Sequence, residues 1–155
     1  MVRRVVTANN AAGKSYFAAD ETVADMVLWQ AVAGDGLGTS PDGEPTRLLP
    51  STAPHIEPPP GGSKCVFIEM EPWATMKARF EGDGIPGLDR NGFHRTMTVD
   101  YLMITEGEVT LLLDEGRTTL HAGDLVVQRN TLHAWQVHAD RPVKFWGVMV
   151  ALKDA

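Results

Sequence analysis

The chain has 155 residues, 43% hydrophobic and 22% charged, the composition of one globular domain with a core of its own. A formal net charge of −6, with no basic cluster denser than Arg3-Arg4, argues against a nucleic-acid binder. The one cysteine, Cys65, excludes an intramolecular disulfide, and no apolar run reaches the ~20 residues of a membrane helix.

The amino end, Met1-Val-Arg-Arg-Val-Val, breaks off into Thr7-Ala-Asn-Asn without the apolar centre of a secretory leader, so a cytoplasmic, reducing setting is expected. Val2 to Thr7 reads as a β-branched strand, Asn9 to Gly13 as a turn, and Lys14 to Ala18 as the hairpin partner. Met26 to Val32 is apolar around Trp29 and bounded by Gly34, Gly36 and Gly38, which favours a strand. Gly34 to Ser63 then carries Pro41, Pro45, Pro50, Pro54 and Pro58-Pro59-Pro60, which excludes a helix interior or central strand. It reads as a long arm, and His55 within it as a solvated histidine. Residues 1–63 are expected to supply strands and an arm that pack on a barrel formed by residues 64–155, one structural domain overall.

Lys64 to Glu71 alternates as a strand, with Cys65 a buried and inert thiol. Trp73 to Phe80 reads as one helical turn or an irregular strand, and the loop Gly82 to Gly92 delivers the chain to His94. Short runs follow closely: Phe93–Met97, Tyr101–Thr105, Val109–Leu113, Thr118–His121, Leu125–Gln128, His133–Val137 and Val143–Leu152. Gly147 inside the last run marks a bulge or a close backbone approach. The fold class is all-β, a small barrel or jelly roll.

Residues two apart on a strand share a face. If Leu102 and Ile104 face inward, so does Asp100; if Trp135 and Val137 face inward, so does His133. His94 and Thr96 have the parity of Asp100, although the turn at Met97–Val99 need not preserve it. Two imidazoles and a carboxylate converging in an apolar interior suit a divalent transition metal with open positions. The same residues equally suit a plain hydrogen bond between His and Asp, or pairing of Asp100 with Arg95 or Arg129. Tyr101, of opposite parity to Asp100, reads as a packing or interface residue, and His121 and His138 as exposed.

The stretch from Asn91 to His138 resembles a small single-domain cupin of the RmlC-like superfamily. The first cupin motif places two histidines one residue apart, then a glutamate, then a glycine seven beyond it. Gly107 lies seven after Asp100, so Asp100 takes the glutamate position, His94 the first histidine and Thr96 the second. The second motif opens on Gly123-Asp124 and closes on His133, with Arg129 at the customary proline and Asn130-Thr131 where a glycine is usual. The wording HRT, DY, EGEV and GDLVVQR over residues 64–152 is similar to a subgroup of bacterial and fungal cupins whose chemistry is largely unassigned.

The resemblance implies a double-stranded β-helix, or jelly-roll barrel, acting on or binding a small organic molecule. It implies a metal (Fe, Mn, Ni or Zn) held by His94, Asp100 and His133, which would also be the catalytic residues of an oxygenase, decarboxylase or isomerase. Thr96, Gln128, Trp135 and Arg95 would face the substrate; the arginines Arg95 and Arg129 suit either a substrate carboxylate or, the favoured reading, a structural salt bridge. Two alternatives remain open: a metal-free enzyme using His94 or His133 as general acid or base, and a non-catalytic small-molecule binder. Small cupins pair, and the Pro-rich arm and amino-terminal strands would suit packing or strand exchange across a two-fold, so a homodimer is expected, with neither nucleic acid nor membrane as a partner.

Overall fold

The computed structural model of the chain describes residues 1–10, 12–24, 26–31, 57–58, 60–82 and 84–152. Residues 32–56 of the Pro-rich arm, His55 included, lie outside them. The elements in order are β1 (Val2–Asn9), β2 (Ser15–Val23), β3 (Val27–Ala31), β4 (Ser63–Met70), α1 (Trp73–Glu81) and β5 (Thr98–Glu106). There follow β6 (Glu108–Leu113), β7 (Arg117–His121), β8 (Leu125–Arg129), β9 (His133–Gln136) and β10 (Val143–Ala151).

β1 and β2 form a two-stranded hairpin, stapled on its exposed side by Arg3, whose Nε and Nη2 reach the two carboxylate oxygens of Asp20 at 2.8 Å each. The rest of the strands make two antiparallel sheets, ordered β3-β4-β10-β5-β8 and β7-β6-β9. β3, from the amino-terminal part of the chain, is thus an edge strand of the larger sheet, paired with β4.

Period-two alternation decides which face each strand buries. On β5, Leu102 and Ile104 are buried while Tyr101 and Met103 are exposed; on β10, Val143, Phe145 and Met149 turn inward. The core cluster takes Leu102, Ile104, Val143 and Phe145 from the larger sheet and Val109, Leu111, Trp135 and Val137 from the β6–β9 side. One cluster drawn from both sheets means that the sheets pack face to face, and the Trp135 ring stacks on Phe145 across them at 5.6 Å and 18°. Each such aliphatic side chain, fully withdrawn from water, contributes roughly 1.5–3 kcal/mol. The result is two antiparallel sheets closed on one core, the all-β jelly-roll class expected from the sequence.

Gly147 is a close approach: it lies opposite Leu102 in the β10–β5 register, and a Cβ there would meet the Leu102 side chain and the Tyr101 carbonyl. Asn130, at the glycine position of the second motif, has φ 46°, left-handed as a glycine there would be.

Two expectations are corrected. Trp73–Glu81 is a nine-residue helix rather than a single turn or a strand. Trp73, Met76 and Phe80 fall on one side of it at helical spacing, with the Trp73 and Phe80 rings 5.6 Å apart, but so short a window hides the period. Phe93–Met97 is not a strand; within it only His94 is paired, by an isolated bridge to His133. The cause is local. Asp89 Oδ1 accepts the backbone N–H groups of Asn91 at 2.8 Å and Phe93 at 2.7 Å, which holds the chain in a turn up to that point.

Candidate functional site

Three structural features set the position of His94. The Asp89 turn ends at Phe93, and Gly92 (φ 84°) brings the backbone down onto the rings of Phe80 and Trp73 from α1. The His94 backbone then exchanges two hydrogen bonds with His133, each 3.0 Å, so the two histidines stand directly opposite one another. Their rings lie 4.3 Å apart, inclined at 59°.

Each imidazole is held the same way. His94 Nδ1 donates to the Gly92 carbonyl at 3.1 Å, and His133 Nδ1 donates to the Thr131 carbonyl at 2.7 Å. A carbonyl can only accept, so each Nδ1 carries a proton, and in the neutral form of either ring the lone pair is on Nε2. Burial pushes the His133 pKa down to about 4; the Thr131 carbonyl opposes the shift and the neighbouring His94 adds to it. His133 is therefore a neutral acceptor at physiological pH.

Asp100 and Gln128 form a second pair, directly opposite in the β5–β8 register. Gln128 Nε2 donates to Asp100 Oδ2 at 2.8 Å, while Asp100 Oδ1 and Gln128 Oε1 have no hydrogen-bond partner. Burial raises the Asp100 pKa above the usual carboxylate range. The Thr98 hydroxyl, the Gln128 amide and His94 oppose that rise, and the charge of Glu57 adds to it. Thr96, the residue at the second-histidine position, is buried and accepts a 2.7 Å hydrogen bond from the Thr98 hydroxyl.

The remaining candidates are dispersed. Trp135 is core, stacked on Phe145. Arg95 is exposed and lines a cleft of about 260 Å³ with Asp114, Glu115 and Asn130 among its neighbours. Gln128 lines a different cleft, of about 310 Å³, walled by Leu111, Leu113 and Val126 and shared with Arg129 and Thr131. His121 is exposed and reaches Glu108 at 3.1 Å; His138 is exposed as well.

The expected three-ligand metal set fares differently from its members. Among the described residues, no group of three or more His, Cys, Asp or Glu side chains is placed to hold a metal ion. His94 and His133 are together, but Asp100 is engaged across its own sheet by Gln128.

Two residues near the site were not singled out from sequence. Thr98 has the parity of Asp100 and is fully buried, so the face argument that found Asp100 could have found it. Glu57 comes from the end of the arm; its Oε1 accepts the Met97 N–H at 2.9 Å and its carbonyl accepts from Lys64 Nζ at 2.9 Å. Nothing local in a Pro-rich stretch announces such a contact.

No helix among the described residues is long and apolar enough to cross a membrane. No family model matches the chain. Its relatives include the Phomopsin biosynthesis cluster protein C' of Diaporthe leptostromiformis, 35% identical over 101 residues, which are 64% of this chain and 43% of that protein. A cupin-domain-containing oxidoreductase of Neurospora crassa is 45% identical over 51 residues, 32% of this chain and 26% of the relative. The matches thus span less than half the length of these curated relatives. Among solved structures, a Cupin 2 conserved barrel domain protein from Salinispora arenicola aligns with TM-score 0.42 and 20% identity over 70% of this chain and 72% of that one.

Proposed function

We propose that this chain, a small cupin, takes a small organic molecule at the end of its barrel marked by His94 and His133 and moves a proton on it through an imidazole Nε2. The observation that carries the reading is the matched pair of rings, each with Nδ1–H fixed on a backbone carbonyl and its acceptor nitrogen left over. Fixing the tautomer in this way makes an imidazole a dependable proton acceptor. Relatives named as biosynthesis cluster proteins support a role in transforming small molecules. Of the readings open at the outset, the metal-free one needs only the pairs that exist, whereas iron, manganese, nickel or zinc held by His94, Asp100 and His133 needs a grouping that the described residues do not make. The test is ligand-induced thermal stabilisation across a small-molecule panel, before and after chelation. Stabilisation that survives chelation and is lost in His94→Ala and His133→Ala supports the reading. Stabilisation abolished by chelator, or indifferent to both substitutions, overturns it.

The chain works as a homodimer in this reading, through the outer face of the larger sheet rather than through the arm. Tyr101, Met103, Leu125, Val127, Trp146 and Val150 share that face, and each is more than a third exposed. Tyr101 stands opposite Val127, and Met103 opposite both Leu125 and Trp146, so the patch is continuous. A solvated antiparallel face is ordinarily polar. These side chains present on the order of 500 Å² of apolar surface, at the upper end for a monomer and most of the ~800 Å² that each partner gives to a standard interface. A two-fold contact sets this uncharged patch on its own copy. Sedimentation should give a two-chain mass at micromolar concentration and a one-chain mass for Val127→Glu; a one-chain mass for the unmodified protein refutes the dimer.

A further inference from the structure

We infer that the polar group admitted beside Gln128 is a hydrogen-bond donor, a protonated amine or an amide N–H on an apolar body, and that a carboxylate is rejected there. The inference rests on the ligand-binding reading above and adds the polarity of the ligand. Its basis is the orientation that Asp100 imposes on Gln128. A carboxylate oxygen accepts, so Gln128 must turn its NH₂ toward Asp100 Oδ2, at 2.8 Å. The amide oxygen is thereby turned away from Asp100, and it has no partner.

Asp100 Oδ1 has none either, and the Thr98 hydroxyl donates to Thr96. Asp100 is 3% exposed and Gln128 6%, so water does not readily complete either group. Buried acceptors without donors are costly, and a ligand that brings N–H groups relieves that cost. Leu111, Leu113 and Val126 on the walls of the 310 Å³ cleft suit an apolar body at the small end of ligand pockets.

The cation in the lining does not stand beside Gln128. Arg129 shares the cleft but has strand parity opposite to Gln128, and its side chain is exposed. Arg95 belongs to the neighbouring cleft, beside Asp114 and Glu115. The expectation of a substrate carboxylate held by arginine therefore finds no support at Gln128.

The test compares 3-methylbutylamine, 4-methylpentanamide and 4-methylpentanoate, which share a branched apolar body and differ in the polar end. Each is titrated into ¹⁵N-labelled protein while the Gln128 side-chain NH₂ and the His133 ring nitrogens are followed. The amine and amide should move these signals and bind at least about tenfold tighter than the acid, the effect of one or two charge-assisted or newly satisfied hydrogen bonds. In Gln128→Met the preference should collapse, and in Arg95→Met it should persist. The comparison on unmodified protein stands even if the first variant fails to fold. Equal or tighter binding of the acid overturns the inference and indicates the reversed arrangement, a protonated Asp100 donating to a flipped Gln128. If none of the three moves the signals while another panel ligand moves His133, the polarity falls and the binding site stands. If no ligand of any kind moves His133, the binding reading falls with it.

Discussion

Lowering the pH below 6.5 should weaken the fold through His133. Unfolded, this imidazole titrates near 6.5; folded, burial holds it near 4. Because the folded-state value is the lower one, the unfolded chain binds the proton first. The stability associated with the neutral buried ring is therefore complete above pH 6.5 and is lost as the pH falls toward 4. The gap of about 2.5 pH units corresponds to about 3 kcal/mol at the acid end, or about 1.4 kcal/mol for each pH unit crossed. That is a large share of the 5–15 kcal/mol typical of a domain. Asp100 acts oppositely, since burial raises its folded-state pKa and the folded chain therefore takes up that proton before the unfolded one as the pH falls. Urea unfolding of the unmodified protein and of His133→Gln, at half-unit steps from pH 7.5 to 4.5, isolates the histidine, because all other titrations cancel in the difference. The unmodified protein should lose stability more steeply than the variant below pH 6.5 and run parallel to it above that value. Parallel profiles would show that water reaches the ring and that it is not held neutral by burial.

Three further outcomes follow from the packing. Gly147→Ala should destabilise the protein by about 1–3 kcal/mol, because the added carbon meets the Leu102 side chain and the Tyr101 carbonyl; a thermal midpoint within a degree of the original would contradict the close approach. Asn130→Gly should be neutral or stabilising, whereas Asn130→Val, with a branched side chain at φ 46°, should lose about 1–3 kcal/mol in denaturant unfolding. Ile104→Ala, at a fully buried position between the sheets, should cost about 2–5 kcal/mol by the same assay, and a smaller loss would mean that the core collapses around the gap.

The fold was legible wherever it rested on alternation. Leu102, Ile104, Trp135 and Val137 could be assigned inward because a strand offers only two faces, and Asp100 and His133 followed by parity. Asn130 was legible as a glycine substitute for a similar reason: few residues tolerate a left-handed backbone. What alternation cannot supply is register between distant strands. That His94 lies opposite His133, and Asp100 opposite Gln128, depends on which strands pair and at which residue. Those two cross-strand pairings give one pair of rings and one carboxylate–amide pair. Local side-chain chemistry also overrode pattern: Asp89, by accepting two backbone N–H groups, turns a stretch that reads as a strand into a loop that ends at the site.

The central claim is that His94 and His133 are paired, each with its Nδ1–H on a backbone carbonyl, and available to a ligand without an ion held between them and Asp100. The ¹⁵N signals of the two rings, recorded on protein purified without chelator and again after chelation, test it most directly. Both rings should carry a proton on Nδ1, and His133 a lone pair on Nε2, the same before and after chelation, with both rings shifting when a ligand binds. A change in the ring nitrogens on chelation, or protons on Nε2 in place of Nδ1, would contradict it.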